Sequence, residues 1–376
     1  MNDAANDAVN DAVNDAANDA AARRVAQGER MTEAEARLPL AGTRVLDLTR
    51  LLPGPLATLR LSELGAQVVK IEGPSDQGQD DGARQMLRTR TEIERSEPGL
   101  MFRRLNAGKE LLRLDLRSSE GRAALLAMAR EAHVLVEGFR PGVMKRLGLG
   151  WDVLHAVNPK LVMCAISGYG QASPWADRAG HDINYVAMAG VLEQIATIDG
   201  DIALPNFQIG DLMGGAQAAV CGMLAALLAV ERGGEGRFVD ISMTHEVARH
   251  NVIASVMLAA TGRTTPPARD LLTGGAPCYG VYRTADGRHL AVGALEPQFW
   301  TRLCNAIGRP QWSEQHHAHG LVPGSAAALA LRAELAAVFA SQPLAHWLAL
   351  LEPADCCVTP VLRLDEAQAH PIFAGR

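Results

Sequence analysis

The sequence lacks the features that mark several large classes of protein. Its 376 residues carry a formal net charge of −6, so it has no excess of Lys and Arg to neutralise nucleic-acid phosphates. Its longest strongly apolar run, residues 218–230, falls short of the roughly 20 residues that span a bilayer. A basic and apolar secretory signal is absent from the N-terminus, where the first arginine is Arg23. We therefore expect a cytoplasmic protein with neither a nucleic-acid nor a membrane partner.

Cysteine is scarce and is not spaced for metal binding. Most cysteines lie inside apolar runs, and none forms the C-x-x-C pair that is typical of zinc sites. This pattern predicts reduced, mostly buried thiols and no bound metal. The cysteines are at positions 164, 221, 278, 304, 356 and 357.

The rest of the composition is that of a globular protein, with 48% hydrophobic and 21% charged residues. The exception is residues 2–21, which repeat Asn-Asp-Ala at a four-residue period and contain no apolar side chain larger than valine. Such a segment cannot bury enough apolar surface to fold. We predict that residues 1–37 form a disordered, low-complexity tail.

A doubly wound α/β domain is predicted for residues 38–241. Residues 44–48 and 67–71 form short apolar runs typical of buried strands, and a helix beginning at the Pro53-Gly-Pro55 turn separates them. Alternating strand and helix patterns continue to residues 237–241 and predict a parallel sheet. The first βα turn lacks G-x-G-x-x-G, which argues against a dinucleotide cofactor.

A smaller α+β domain is predicted for residues 274–363. Residues 279–283 and 288–292 are joined by residues 284–287, which contain an Asp-Gly turn, and this arrangement predicts a β-hairpin. Residues 242–273 are predicted to be linker helices, and residues 364–376 the start of a segment that returns to the large domain.

Three local sequences place ionisable side chains beside glycine or proline. They are residues 180–185 (Gly-His-Asp-Ile-Asn-Tyr), Gly210-Asp211 and residues 294–299 (Ala-Leu-Glu-Pro-Gln-Phe). Taken singly, each is better explained as a structural histidine, a helix cap or a loop carboxylate.

Taken together, these motifs resemble family III CoA transferases (CaiB/BaiF-like), and in particular their α-methylacyl-CoA racemase branch. The likeness runs from Leu38 to the C-terminus, and two stretches, residues 274–279 and 293–299, are specific to that branch. The other matching motifs are residues 46–48, 53–55, 69–72, 106–109, 137–142, 167–170 and 180–185.

The resemblance implies an isomerase that inverts the stereocentre of 2-methylacyl-CoA thioesters by 1,1-proton transfer through an enolate. This reaction needs acid–base groups on both faces of the α-carbon and a donor to the enolate oxygen. By motif, His181 and Asp211 supply the acid–base groups and the backbone N–H of Asp182 supplies the donor. Glu296 would orient His181.

Two amides compete for a supporting role beside Asp211. The family places an Asn there, and Asn206 sits one position away from the family spacing, so that Gln208 is an alternative.

The resemblance also implies where coenzyme A binds and how the chain assembles. Coenzyme A is part of the substrate, and no separate cofactor is expected. Family members form interlocked homodimers, so Glu296 is expected to act from the partner chain. The candidate CoA-binding residues are Lys70, Arg84, Asn106, Lys109 and Arg140.

Two other functions remain open at this point. A family III CoA transferase would move CoA between carboxylic acids through an aspartyl anhydride, and Asp177 best matches that nucleophile. The second alternative is a catalytically inactive acyl-CoA-binding homologue, because the sequence stops at Arg376 whereas family members continue.

Overall fold

The computed structural model describes residues 37–75 and 78–374. The predicted disordered tail, apart from Arg37, lies outside the described residues. The chain forms two compact units. The first contains residues up to Val191 and Pro205–Asn251, and the second contains Leu192–Leu204 and the residues from Val252 onward. The predicted domain bounds stay predictions.

The first unit is built on a six-stranded parallel sheet, as the sequence predicts. Its strand order is β3-β2-β1-β4-β5-β6. The strands are β1 (Arg44–Asp47), β2 (Gln67–Glu72), β3 (Glu110–Arg113), β4 (Val134–Glu137), β5 (Val162–Ser167) and β6 (Phe238–Ser242).

Helices cover both faces of this sheet. Successive side chains of a strand point to opposite faces, so apolar residues on both faces need a covering layer. Val45, Val134 and Cys164 face one hydrophobic cluster, while Leu46 and Leu135 face another. The α-helices of the first unit are Pro53–Glu63, Arg90–Glu94, Leu100–Leu105, Ser119–Ala129, Val143–Arg146, Trp151–Val157, Asp182–Met188, Ala218–Glu231 and Met243–His250, and the short helix Val191–Gln194 begins with the last residue of this stretch of the first unit and continues into the second.

A π-helix, Gly210–Gln217, runs directly into the α-helix Ala218–Glu231. The combined 22-residue segment Gly210–Glu231 is long and apolar enough to cross a membrane, and 39% of an 18-residue stretch of it is buried. The apolar run that looks too short in the sequence is therefore part of a longer helix. Ala219 and Met223 pack in the same hydrophobic cluster as strand residues of the sheet, which is the environment of a core helix.

The second unit contains a three-stranded antiparallel sheet of order β7-β8-β9. The predicted hairpin is confirmed, with Tyr279 opposite Gly293 and Arg283 opposite His289. Trp300 and Leu335 pack against the sheet in a separate core. The strands are β7 (Tyr279–Arg283), β8 (His289–Gly293) and β9 (Val358–Pro360), and the α-helices are Val252–Thr261, Pro297–Ala306, Ala326–Phe339, Leu344–Leu351 and Leu364–Ala369.

Candidate active site

A cavity of about 410 Å³ lies in the first unit, at the carboxyl ends of β1, β4 and β5. β1 and β4 are neighbours in the sheet although they are not consecutive in the chain. The chain therefore reverses its order of winding at this point, and ligands of open α/β sheets bind at such switch points. The walls come from the loops after β1 (residues 49–54), after β4 (138–141) and after β5 (167–169), together with Ala176, residues 178–181, Tyr185, Asp211 and Met243.

His181 lies on this cavity at the start of the helix Asp182–Met188. Its backbone N–H donates to the side-chain oxygen of Asn184 at 3.0 Å, and its side chain is exposed. Tyr185, one turn further along, donates its hydroxyl to the carbonyl of Gly180. A Cβ at Gly180 would lie only 2.8 Å from Tyr169 and from Tyr185, so glycine permits the packing that brings His181 to the cavity.

Asp211 lies on the same cavity and belongs to the π-helix. π-Turns are rare and often occur at functional sites. Burial raises the pKa of the Asp211 carboxyl to about 6, and the charge of Asp182 adds to the rise while His181 opposes it. Asp211 is thus a carboxyl group that can change its protonation state near neutral pH, on the same cavity as the imidazole of His181.

Asp182 connects these two residues. Its carboxylate Oδ1 accepts the backbone N–H of Asp211 at 2.9 Å. Its own backbone N–H has no hydrogen-bond acceptor among the described residues. That N–H belongs to the residue directly after His181, where the sequence predicts the donor to the enolate oxygen.

The remaining catalytic candidates are not part of the cavity wall. Asn206 is exposed, and Gln208 is half-buried; neither lines the cavity. Asp177 is also exposed, although its neighbours Ala176 and Arg178 do line it.

Glu296 belongs to the second unit, whereas the cavity lining comes entirely from the first. Glu296 precedes the helix Pro297–Ala306, and its side chain is exposed. Burial raises the pKa of Cys357, and the charge of Glu296 adds to that rise. The orienting role of Glu296 therefore stays a prediction.

Lys109 does not present its charge to a ligand in this structure, which corrects its interpretation as a CoA ligand. Its ammonium group is fully buried and pairs with Asp47, with 3.1 Å between Nζ and Oδ2. It also donates to the carbonyl of Pro55 and to Thr58, each at 2.8 Å. Asn106, another CoA-binding candidate, is buried and accepts from the same ammonium group at 3.0 Å. A buried ammonium group needs such partners because it has lost its water.

Lys70 is placed in the same way and needs the same correction. Its fully buried ammonium group lies 3.0 Å from Asp81 and donates to the carbonyl of Thr49. Thr49 and the Pro53–Gly54 turn line the cavity. Lys70 and Lys109 therefore stabilise the segment that follows β1 through buried contacts, and neither lines the cavity.

Arg84 is also engaged within the fold. Its Nε lies 3.0 Å from Oε1 of Glu72, and its guanidinium stacks over the ring of Phe102 at 3.9 Å. Arg140 differs from these candidates because it is exposed and lines the cavity.

Two cavity arginines were missed by the sequence analysis. Arg50 donates to the backbone carbonyl of Gln79 at 2.7 Å, and Arg178 lies 5.5 Å from the Trp175 ring centroid. Both line the cavity, together with Arg140. Their only sequence signal is a position next to a motif: Arg50 follows the β1 motif and Arg178 precedes Gly180. Three guanidinium groups make the cavity suitable for a ligand that carries phosphates.

Known proteins with similar sequences include both racemases and CoA transferases. The chain is 32% identical over 344 residues to human alpha-methylacyl-CoA racemase, covering 89% of this chain and 80% of the relative. It is 33% identical over 347 residues to the acetyl-CoA:oxalate CoA-transferase of Acetobacter aceti, covering 92% and 86%. Racemases and transferases are therefore similar to it at nearly the same level.

Solved structures show the same fold. The crystal structure of Rv3272 from Mycobacterium tuberculosis matches with a TM-score of 0.73 and 30% identity, covering 89% of this chain and 87% of that one. A CAIB/BAIF family protein from Brucella suis matches with a TM-score of 0.74 and 25% identity, covering 89% and 87%. The model of CoA-transferase family III matches residues 40–376, and the chain belongs to this family.

Proposed function

We propose that this protein is an isomerase that inverts the α-carbon of 2-methylacyl-CoA thioesters by 1,1-proton transfer through an enolate. The observation that carries the proposal is the presence of His181 and Asp211 on one cavity, with the pKa of Asp211 raised to about 6. A reaction on both faces of one carbon needs two acid–base groups in one site, and a carboxyl group and an imidazole are groups of that kind.

The proposed mechanism uses these two residues in opposite roles. One, unprotonated, removes the α-proton, and the other, protonated, returns a proton to the opposite face. The roles exchange for the opposite enantiomer. The backbone N–H of Asp182 donates to the thioester oxygen as negative charge develops there, and such a fixed donor costs no reorganisation.

Substrate binding is assigned in this proposal to the cavity arginines. Arg140, with Arg50 and Arg178, attracts the phosphates of coenzyme A, which belongs to the substrate, so no separate cofactor takes part. The protein acts as a cytoplasmic homodimer, and Glu296 orients His181 from the partner chain. Relatives named as racemases support this reading.

Deuterium uptake tests the isomerase reaction directly. Each enantiomer of a 2-methylacyl-CoA is incubated in D₂O without any acceptor acid, and exchange at the α-carbon is followed by NMR and mass spectrometry. We expect both enantiomers to exchange and to interconvert, and His181→Ala and Asp211→Asn to lose the interconversion. His250→Gln, which changes an exposed histidine away from the cavity, is the matched control and keeps the activity.

A family III CoA transferase is the second candidate, because the Acetobacter aceti transferase is as similar as the racemases. In that reaction an aspartate carboxylate, Asp177 in this interpretation, displaces CoA and forms an acyl anhydride. The acceptor carboxylate and the released CoA then complete the exchange.

An added carboxylic acid separates the possibilities. CoA transfer to the acid that is lost in Asp177→Asn, without α-proton exchange, would contradict the isomerase and support the transferase. Binding of acyl-CoA with neither reaction would contradict both and support an inactive homologue.

A further inference from the structure

A cysteine and two histidines meet in the second unit, away from the residues used above. Cys278 directly precedes β7, and His316 and His317 lie in the segment between the helices Pro297–Ala306 and Ala326–Phe339. Their potential ligand atoms all lie within 4.8 Å of one another. Cys278 and His316 are each only 1% exposed, so this is a buried cluster.

The spacing of these atoms fits a tetrahedral metal ion. Zinc binds thiolate sulfur at about 2.3 Å and imidazole nitrogen at about 2.0–2.1 Å, so tetrahedral ligand atoms lie about 3.3–3.6 Å apart. The Sγ of Cys278 lies 3.7 Å from Nδ1 of His317. The rings of His316 and His317 lie close together, with centroids 4.1 Å apart. Little movement is needed for all three to reach one ion.

His316 also has a buried nitrogen that the fold leaves unsatisfied. Its Nδ1 accepts the backbone N–H of Ala318 at 3.3 Å, whereas its Nε2 has no hydrogen-bond partner among the described residues. Burial lowers the pKa of His316, and the backbone carbonyls of Ala294 and Leu295 act in the opposite direction. Neither carbonyl lies in hydrogen-bond geometry with Nε2. Buried polar atoms in native proteins nearly always have a partner.

A thiol–imidazole hydrogen bond alone does not explain the cluster. Such a bond would pair Cys278 with His317 and still leave Nε2 of His316 unpaired. A metal ion would take one ligand atom from each of the three side chains.

We propose that Cys278, His316 and His317 form a site for Zn²⁺, with the Sγ of Cys278, the Nδ1 of His317 and one ring nitrogen of His316 as the ligands. Cysteine thiolate with imidazole nitrogens suits zinc, and three protein ligands leave one position for water or an anion. His319 is not part of the cluster among the described residues, and its Nδ1 faces Glu314 at 3.5 Å. The sequence predicts no metal here because Cys278 has no nearby cysteine partner and the histidines follow it by 38 and 39 residues.

Metal titration of the full-length protein tests the site without any activity assay. The protein is stripped with a chelator, and Zn²⁺ is titrated against a chromophoric competitor. Cobalt(II) is then added in its place, because a cobalt–thiolate bond gives a charge-transfer absorption band. We expect one equivalent of Zn²⁺ to bind, a tetrahedral cobalt spectrum with that band, and a higher Tm with zinc than without it.

Two variants identify the ligands, and two serve as controls. Cys278→Ser is expected to lose the charge-transfer band, and His317→Gln to weaken zinc binding at least about tenfold. His317 is only half-buried, so its variant stays informative if Cys278→Ser does not fold. His319→Gln and Cys357→Ser change an exposed histidine and an exposed thiol, and are expected to bind like the wild type.

Wild-type protein that binds zinc no more tightly than His317→Gln, or cobalt without a thiolate band, overturns the proposal. Equal loss of binding in either control variant also overturns it, since the metal would then lie elsewhere.

Discussion

The carboxylate of Asp182 accepts the backbone N–H of Asp211 across 2.9 Å, and its negative charge adds to the burial that raises the pKa of Asp211. One residue thus contributes to the site twice. Its side chain raises the pKa of Asp211, and its backbone N–H lies directly after His181, the other proposed acid–base residue.

The acidity of Asp211 predicts a pH dependence. Asp211 must be unprotonated to remove a proton, so kcat/KM for the enantiomer on its side should rise as pH increases through about 6. Replacement of Asp182 by Asn removes a negative charge and should move this rise to lower pH. The pH profile of deuterium uptake measures both. An unchanged profile in Asp182→Asn would show that its charge does not act on the reacting group.

Arg140 should contribute to substrate binding more than to the chemical step. Its guanidinium lines the cavity, so Arg140→Gln should raise KM about tenfold and leave kcat nearly unchanged, as expected for an interaction equal in ground and transition states. Arg146→Gln removes an exposed arginine outside the cavity and is the matched control. Similar KM values for the two variants would argue against a phosphate contact at Arg140.

Lys109 should act on stability. Lys109→Met leaves Asp47 buried without its partner, which should lower the free energy of unfolding by about 3–5 kcal/mol. Urea unfolding of this variant is compared with that of Lys145→Met, which changes an exposed lysine and should be near neutral. A fully stable Lys109→Met with a raised KM would instead restore the interpretation of Lys109 as a CoA ligand.

Glu137 should make stability fall with rising pH. Burial raises its pKa from 4.5 to about 7, so the folded protein binds its proton more tightly than the unfolded chain does. The resulting stabilisation is complete below about pH 4.5 and is lost as pH rises through about 7, by about 2–3 kcal/mol.

The variant Glu137→Gln isolates this effect. It keeps an acceptor for the N–H of Phe139, which lies 2.7 Å from Oε2 in the wild type. Its stability relative to the wild type should therefore improve between pH 5 and 8, as measured by denaturant unfolding. Glu110→Gln, at an exposed position, should show no such trend. A parallel pH dependence in Glu137→Gln and the wild type would contradict the assignment.

Glu296 should act from the partner chain. Asp211→Asn and Glu296→Ala are each expected to be inactive alone. Dissociated, mixed and reassociated, they should regain about a quarter of the wild-type exchange activity, because half of the dimers are mixed and each contains one intact site. Sedimentation confirms the dimer in each sample. If Glu296 acts within its own chain, mixing restores nothing.

The sheet could be predicted because each strand is recognisable from its own short stretch of sequence. Apolar runs such as residues 67–71 need no distant partner to be recognised, and Pro53 begins its helix at the predicted position. The roles of Lys70 and Lys109 were not predictable in this way. Lys109 meets Asp47 across 62 residues of sequence, and a lysine that pairs inside the fold looks the same in a sequence as one that binds phosphate.

The site was predictable only in part for the same reason. His181 and Asp211 were identified from the motifs around them, whereas Arg50 and Arg178 carry no motif of their own and reach the cavity through the folding of two separate loops. The cluster of Cys278 with His316 and His317 is another product of tertiary packing.

The direction in which the Asp211 side chain points depends on the number of residues in the π-helix Gly210–Gln217. A π-turn holds one more residue than an α-turn, and each residue of an α-helix turns the chain by about 100°. Loss of a single residue from this segment would let the following helix, Ala218–Glu231, keep its packing while Asp211 rotated away from the cavity. Deletion of one residue here is therefore expected to be more damaging than most side-chain substitutions. The protein would still fold, but Asp211 would no longer line the cavity and could not take its proposed part in the reaction.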